Sequence, residues 1–373
     1  MTNKTKQKKI LIVGQIPPPY HGQAIMIYNT VQHKYESLMV FHVPLNFSLK
    51  SNEVGNFKFR KVKILFKVIY EILSVRYSHG VNNLYYPPAG PNITPILRDL
   101  IILFCTRWAF KRTIYHFRAG GISEKLENST LLLKTLAKAI YSNPNLTIRL
   151  SKKNPEDGVY FNSKKDVVIP NGLKDFAKGF LLGKKSNLMK TILYVGVIKE
   201  SKGVLDLLRA CCILRSNNIQ FKLKLVGQFD SKVFKEMVLE FVVKNSLEEN
   251  IFFLGIKTGK DKWEEYASAD IFCFPSYYEC ETFGNVLVEA MQFNLPVVAT
   301  IWRGIPDIVQ NNYSGFLVEI KNPNSIALKL EELLKNDILR MKFGNNGREL
   351  FEQKFTENIY FQSFEKEVYS VCD

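Results

Sequence analysis

The stretch Pro275-Ser276-Tyr277-Tyr278-Glu279-Cys280-Glu281-Thr282-Phe283-Gly284-Asn285-Val286-Leu287-Val288-Glu289-Ala290-Met291 decides how this chain is read. It follows Ile271-Phe272-Cys273-Phe274, an apolar run of the length and character of a buried strand. Pro275 and Ser276 end that run. A loop with acids follows, then Gly284, then an apolar-periodic segment from Asn285 that predicts a helix. Glu281 therefore sits on the loop and Glu289 inside the helix. Backbone N–H groups at a helix start can hold a phosphate or a sugar hydroxyl. A carboxylate on either side adds acceptors for hydroxyls. The stretch has the make-up of a cradle for an anionic, hydroxyl-rich ligand.

The same strand-loop-helix grammar recurs along the chain. Residues 9–14, Lys-Ile-Leu-Ile-Val-Gly, predict a first parallel strand, apolar throughout as burial on both faces requires. Pro17-Pro18-Pro19-Tyr20-His21-Gly22 is a stiff turn, and helical pattern restarts near Gln23. Strands are expected at 38–43 and 83–86, helices at 57–73 and 93–110. Residues 113–121 read as a strand running into Gly120-Gly121, with His116 and Arg118 near its C-terminal end. Open α/β sheets place ligands at such ends. A helix at 131–141 and strands at 146–150 and 167–170 follow, and Asn171-Gly172 marks a turn. The second half restarts with a strand at 191–197, the loop 198–203 and a helix at 204–214. Strands at 221–226 and 251–254 come next, the second running into Gly255-Ile256-Lys257, and a short helix at 263–269 leads to the opening stretch. Helices at 322–335, 338–355 and 357–371 close the chain.

Composition bounds the possibilities. The 373 residues leave room for two domains, and 46% hydrophobic with 23% charged residues is a globular balance. No apolar run reaches the roughly 18 residues that span a bilayer. The longest candidate, 100–110, is bounded by Asp99 and interrupted by Arg107. The first apolar run stops at Pro17, against a signal peptide. The six cysteines show no metal-ligand spacing and are expected reduced, as in a cytosolic protein. Residues 1–170 hold 25 Lys and Arg against 9 Asp and Glu, whereas residues 171–373 hold 26 of each. The whole net charge of +16 thus belongs to the first half, which speaks of partners.

The run at 275–291, with Pro275-Ser276, Glu281, Phe283-Gly284 and Glu289-Ala290-Met291 as its fixed points, resembles the nucleotide-sugar site of family 4 of the retaining glycosyltransferases. That resemblance implies the GT-B fold: two doubly wound, Rossmann-like parallel-sheet domains facing across a cleft, with a C-terminal helix crossing back. It also implies that Glu281 lies by the donor sugar and that Glu289 holds the ribose. Ile169-Pro170-Asn171-Gly172 is similar to the family hinge, which puts an N-terminal domain at 1–170, joined by 356–373, and a C-terminal domain at 171–355. His116 stands in a context similar to the family histidine that faces the donor sugar, and Arg118 beside it is the expected contact for an anionic acceptor. Lys202-Gly203 matches the end of a Gly-Arg-x-x-x-x-Lys-Gly signature whose cations neutralise the donor diphosphate. Val197 occupies the Arg position, and Lys199 is expected to replace part of its charge without the bidentate fork of a guanidinium. The Gly255-Ile256 turn corresponds to the nucleobase contact, and His21-Gly22 to the family's first-domain glycine loop. Arg303-Gly304-Ile305-Pro306-Asp307 resembles a Gly-Gly-x-Pro-Glu turn, and Asn294 replaces a helix-ending Gly.

The resemblance thus implies a metal-independent hexosyl-class transferase for surface polysaccharide biosynthesis. His116, Glu281 and Lys202 are the expected catalytic residues. The donor is expected at Gly22, Lys199, Lys202, Ile256, Phe283, Gly284, Asn285 and Glu289, and the acceptor at His21 and Arg118. A nucleotide-diphosphate sugar is the donor substrate, with no cofactor or metal, since no Asp-x-Asp triplet or His cluster is present. The acceptor is a glycan or lipid-linked glycan. The helix at 57–73 sets Lys58, Arg60, Lys61, Lys63 and Lys67 among apolar residues. Its apolar face is expected inside and its basic side toward an anionic membrane, making the protein peripheral at the cytoplasmic face. Two other classes compete: a nucleotide-sugar epimerase of the same fold, and a basic nucleic-acid-binding protein. The first needs an acid or base over a sugar carbon. The second is disfavoured because the basic residues interleave with aliphatics and carry no nucleic-acid motif.

Overall fold

The computed structural model describes residues 7–18, 22–47, 59–180 and 189–373. The chain divides into two compact units, Met1–Asn171 with Asn358–Asp373, and Gly172–Glu357.

In the first unit six strands form one sheet in the order β2-β1-β3-β4-β5-β6. They are β1 (Lys8–Gly14), β2 (Leu38–Pro44), β3 (Asn83–Tyr86), β4 (Arg112–Phe117), β5 (Leu146–Arg149) and β6 (Asp166–Val168). All pairings are parallel. Residues alternate between the two faces, as the strand period of two requires. Leu84, Tyr86, Tyr115 and Phe117 join the cluster beneath helices Phe59–Ser78, Ile93–Thr106 and Leu131–Tyr141. Tyr85 and His116 point the other way, toward the C-terminal helix Glu357–Val371, where Phe364 packs edge-on to Tyr85. That helix is sewn to helix Gly22–Gln32 and its end by a Thr30–Tyr360 hydroxyl contact of 3.1 Å and a stacked His33–Phe361 pair. Right-handed crossovers account for the split, because the connection from β1 to β2 runs opposite to those leading to β3, β4 and β5.

The second unit has six parallel strands in the order β12-β11-β10-β7-β8-β9. They are β7 (Lys190–Val195), β8 (Phe221–Val226), β9 (Ile251–Gly255), β10 (Ile271–Phe274), β11 (Val297–Thr300) and β12 (Gly315–Val318). Strand order reverses between β7 and β10, so the loops leaving these two strands diverge at a topological switch point, the usual ligand crevice of open α/β sheets. Both strands are almost wholly buried, which explains their unbroken apolar runs.

Local details depart from expectation in informative ways. The helix expected at 93–110 stops at Thr106 and tightens into a 3-10 turn, Arg107–Ala109. The strand expected at 113–121 ends at Phe117. Helix Gly259–Ser268 begins four residues earlier than the pattern suggested. Helix Phe59–Ser78 buries Val68 and Ile72 but leaves Phe66, Tyr70 and Tyr77 exposed, so its apolar residues are not all turned inward. Among its five expected basic residues, Lys58 lies outside the described residues, and only Lys63 and Lys67 have described side chains. Asn294 takes the left-handed conformation (φ 55°) behind helix Asn285–Gln292, as a replacement for glycine must.

Candidate active site

Two loops meet at the β7/β10 switch point. The loop after β7 carries a single 3-10 turn, Glu200–Lys202, then Gly203 at φ 72°, the N-cap of helix Val204–Ser216. A Cβ on Gly203 would stand 2.0 Å from the Pro275 carbonyl oxygen. Only glycine meets both the left-handed backbone and this approach. The loops are further tied by the Tyr277 N–H donating to Ser201 O at 2.9 Å. On the other side, Gly284 (φ 77°) starts helix Asn285–Gln292 without a side-chain cap. This leaves the first helical turn to be satisfied from elsewhere.

Lys202 and Glu281, 79 residues apart in sequence, form the centre of this junction. The ammonium of Lys202 lies 2.5 Å from Glu281 Oε2, and Ser276 Oγ donates to the same oxygen at 2.9 Å. Glu281 is buried, so these two donors offset its desolvation. The Tyr278 ring lies 4.7 Å from Lys202 Nζ and 4.9 Å from Lys199 Nζ. One aromatic ring thus gathers both lysines expected at a diphosphate. Val197, at the position of the Arg in the resembling signature, is exposed, and its carbonyl accepts from the Tyr194 hydroxyl at 2.8 Å. Burial, and next the Glu281 charge, hold the Tyr194 phenol well above its usual range. Burial also raises the Cys280 thiol, which opposes a nucleophilic role for it.

Glu289 is buried and looks to a different set of partners. Its Oε1 pairs with Lys262 Nζ at 2.7 Å and its Oε2 accepts from the Tyr266 hydroxyl at 2.7 Å. Each oxygen keeps a second lone-pair direction for a ligand hydroxyl. Phe283 packs its side chain edge-on to Phe355 at 5.8 Å, so only its backbone is left for a ligand. Ile256 is exposed beside Gly255 (φ 69°), and Asn285 opens the helix.

The unit 1 residues form a second, separate cluster. His116 is fully buried, with Nδ1 2.8 Å from the Tyr85 hydroxyl. Burial, and then the Arg118 charge, hold its pKa well below the usual histidine value, so the ring is neutral near pH 7. Arg118 is buried too, donating to Tyr360 Oη at 2.6 Å, Asn171 Oδ1 at 3.1 Å and Tyr85 Oη at 3.4 Å. The Tyr85 hydroxyl thus bridges Arg118 and His116 Nδ1, and the direction of its bond to the imidazole follows the ring tautomer. Gly22 is exposed at the start of its helix, and His21 lies outside the described residues.

Comparison with known proteins bears on this geometry. Residues 183–350 match the family model described as "Glycosyl transferases group 1". These residues are similar to a group 1 glycosyltransferase domain. The chain is 33% identical over 173 residues to the capsular polysaccharide biosynthesis glycosyltransferase CapM of Staphylococcus aureus, covering 46% of this chain and 44% of that protein. It is 29% identical over 228 residues to N-acetylgalactosamine-N,N'-diacetylbacillosaminyl-diphospho-undecaprenol 4-alpha-N-acetylgalactosaminyltransferase of Campylobacter jejuni, covering 59% of each. The chain thus aligns with between about two fifths and three fifths of these relatives. Anabaena Alr3699/HepE, solved with UDP, superposes with a TM-score of 0.73 at 17% identity, over 97% of this chain and 100% of that one. The fold of the chain is GT-B.

Within the second unit, the sequence placed Arg303 in a turn but gave it no role. It adopts a left-handed backbone (φ 46°), uncommon for a residue with a side chain and a frequent mark of functional sites. Its guanidinium lies over the Trp302 ring, and Trp302 Nε1 donates to the Tyr278 carbonyl at 2.8 Å. Trp302 thus ties Arg303 to the loop whose Tyr278 ring faces Lys202. The signal was present in the sequence, since a bulky cation stood where the resembling turn has glycine.

Proposed function

We propose that this protein transfers a sugar, with retention, from a nucleoside diphosphate donor to a glycan or lipid-linked acceptor in surface polysaccharide synthesis. The Lys202–Glu281–Ser276 junction at the β7/β10 switch point carries this reading. Departure of the diphosphate builds negative charge on phosphate oxygens while the sugar becomes oxocarbenium-like. Lys202 and Lys199, gathered on Tyr278, with Arg303 on the neighbouring loop, form a fixed positive wall against that charge. Donor phosphate then takes over Lys202, and Glu281, released from the pair, accepts a sugar hydroxyl. Glu289 holds the ribose through its remaining lone pairs. His116, held neutral near pH 7, acts as a hydrogen-bonding group and not as a charge. This cation set performs the neutralisation that Mg²⁺ performs elsewhere, so turnover is expected to survive chelation.

The excess positive charge of residues 1–170 suits an acceptor held at an anionic membrane. Among the described residues, no helix is long and apolar enough to cross one. The capsular and diphospho-undecaprenol-linked names of the relatives support the acceptor class. A panel of nucleotide sugars screened by thermal stabilisation tests the reading. A true donor at about 100 times its Kd adds about 2.7 kcal/mol of stability. No stabilisation by any member, with turnover absent, would refute it.

A further inference from the structure

Helices Phe59–Ser78, Ile93–Thr106 and Leu131–Tyr141 form one layer on the sheet of the first unit, and each exposes apolar side chains that the core does not use. On the middle helix Ile93, Leu97, Ile101 and Phe104 recur at helical spacing along a single outer stripe, and Trp108 follows in the 3-10 turn. Phe104 is 70% and Trp108 69% exposed. The Trp108 N–H is already satisfied by the Cys105 carbonyl at 2.8 Å, so what faces outward is the apolar body of the ring. The other two helices extend this stripe sideways. Leu132 and Leu136 are exposed one turn apart on one flank, and Phe66, Tyr70 and Tyr77 on the other.

The three stripes converge near Trp108. Arg107, its neighbour, donates to the Ile140 and Ser142 carbonyls at the end of the third helix. Arg76, the neighbour of Tyr77, donates to the Ala109 carbonyl at 2.6 Å. Phe104 and Trp108 share with Ala139 and Ile140 a hollow of about 400 Å³. A contiguous apolar ridge of this kind on a soluble surface marks an interaction face. Its surroundings select the partner. Among the described side chains of the three helices stand Lys63, Lys67, Lys134 and Lys138, Lys67 beside Glu71 and Lys134 paired with Glu127, and the other carboxylate, Asp99, is buried and paired with Arg98. Apolar and aromatic side chains with flanking lysines match the acyl–headgroup boundary of an anionic bilayer.

We propose that this three-helix layer inserts Phe104, Trp108, Leu132 and Leu136 into the surface of an anionic membrane, with the flanking lysines on its headgroups. The proposal deepens the acceptor reading above, but its physics needs neither donor nor acceptor. It differs from docking by charge alone, because part of the binding must survive salt. The test is co-sedimentation of the full chain with phosphatidylglycerol–phosphatidylcholine vesicles in the absence of any sugar nucleotide. Binding should rise with anionic fraction and persist in part at about 1 M salt, where the Debye length is about 3 Å. Trp108 emission should shift to the blue and be quenched by brominated acyl chains. Trp108→Phe should lose that shift and keep its binding. The pairs Phe104→Ser with Trp108→Ser, and Leu132→Ser with Leu136→Ser, should each lower vesicle partitioning by at least about tenfold. These residues are on the surface, so melting temperature and donor binding should stay at parent values. Complete release at high salt, or full binding by both pairs, would overturn insertion. So would a dimer, seen by light scattering, that the same substitutions dissolve while vesicle binding stays intact.

Discussion

Replacing Lys202 separates a structural ion pair from a catalytic cation. In Lys202→Met, Glu281 stays buried with Ser276 Oγ as its remaining donor of the two. A lost hydrogen bond to a charged group costs about 1.5–3 kcal/mol, and a stranded buried charge costs more. In a unit of this size, each kcal/mol lowers the melting temperature by about 2–4 °C. Turnover should fall further, because a preorganised donor aimed at developing charge is worth about 2.7–4 kcal/mol, a factor of roughly 10² to 10³ in kcat. The double variant Lys202→Met with Glu281→Gln removes both charges. It should regain most of the melting temperature, since no carboxylate is left unpaired, while kcat stays low. Differential scanning fluorimetry and initial rates with a saturating donor read the two effects independently. Recovery of kcat in the double variant to within about threefold of the parent, beyond the uncertainty of additivity at coupled sites, would refute the role of Lys202 as a diphosphate cation.

Glu289→Gln keeps the shape beside Tyr266 and Lys262 but removes a charged acceptor, and should weaken donor binding by about 1.5–3 kcal/mol, read by titration calorimetry. Unchanged affinity would remove Glu289 from the ribose site. Arg303→Gly suits the left-handed backbone at φ 46° and should leave stability level or slightly higher while donor affinity falls. Parent-like affinity would exclude Arg303 from the positive wall. His116 is held neutral when folded, its pKa depressed by burial and by Arg118, whereas the unfolded chain takes up a proton below about pH 6.5. Stability from this group is therefore complete above about pH 6.5 and declines as pH falls toward the folded pKa, by up to about 1.4 kcal/mol per pH unit. His116→Gln should flatten that decline in urea titrations at pH 5 to 7, and an equal slope in both proteins would contradict the assignment.

Local pattern was enough for much of the fold. The apolar runs at β1, β7 and β10 are each followed by a turn and a periodic segment, and such units build parallel sheets by right-handed crossover. The site loops were legible for the same reason, since Gly203 and Gly284 punctuate strand-to-helix transitions. Helix Lys232–Lys244 was passed over, although Phe234, Val238 and Val242 recur every four residues on its buried face. Its outer face is also apolar at Val233, Met237 and Val243, which blurs the contrast that a periodic reading needs.

Relations between distant segments belonged to the tertiary structure. Sequence named Lys199, Lys202 and Glu281 separately, but the crossing of two loops at the β7/β10 switch point placed the lysines on Tyr278 and the carboxylate on Lys202. The context of His116 and Arg118 suggested open ligand contacts, whereas packing of the C-terminal helix encloses both with Tyr85 and Tyr360. The apolar run 100–110 likewise contains core and surface residues that composition cannot tell apart. Leu100 and Leu103 are covered by the sheet below, and Phe104 and Trp108 are left outside. Propensity and period act over a few residues and are written along the chain. Burial and charge pairing depend on what the rest of the fold brings to the other side.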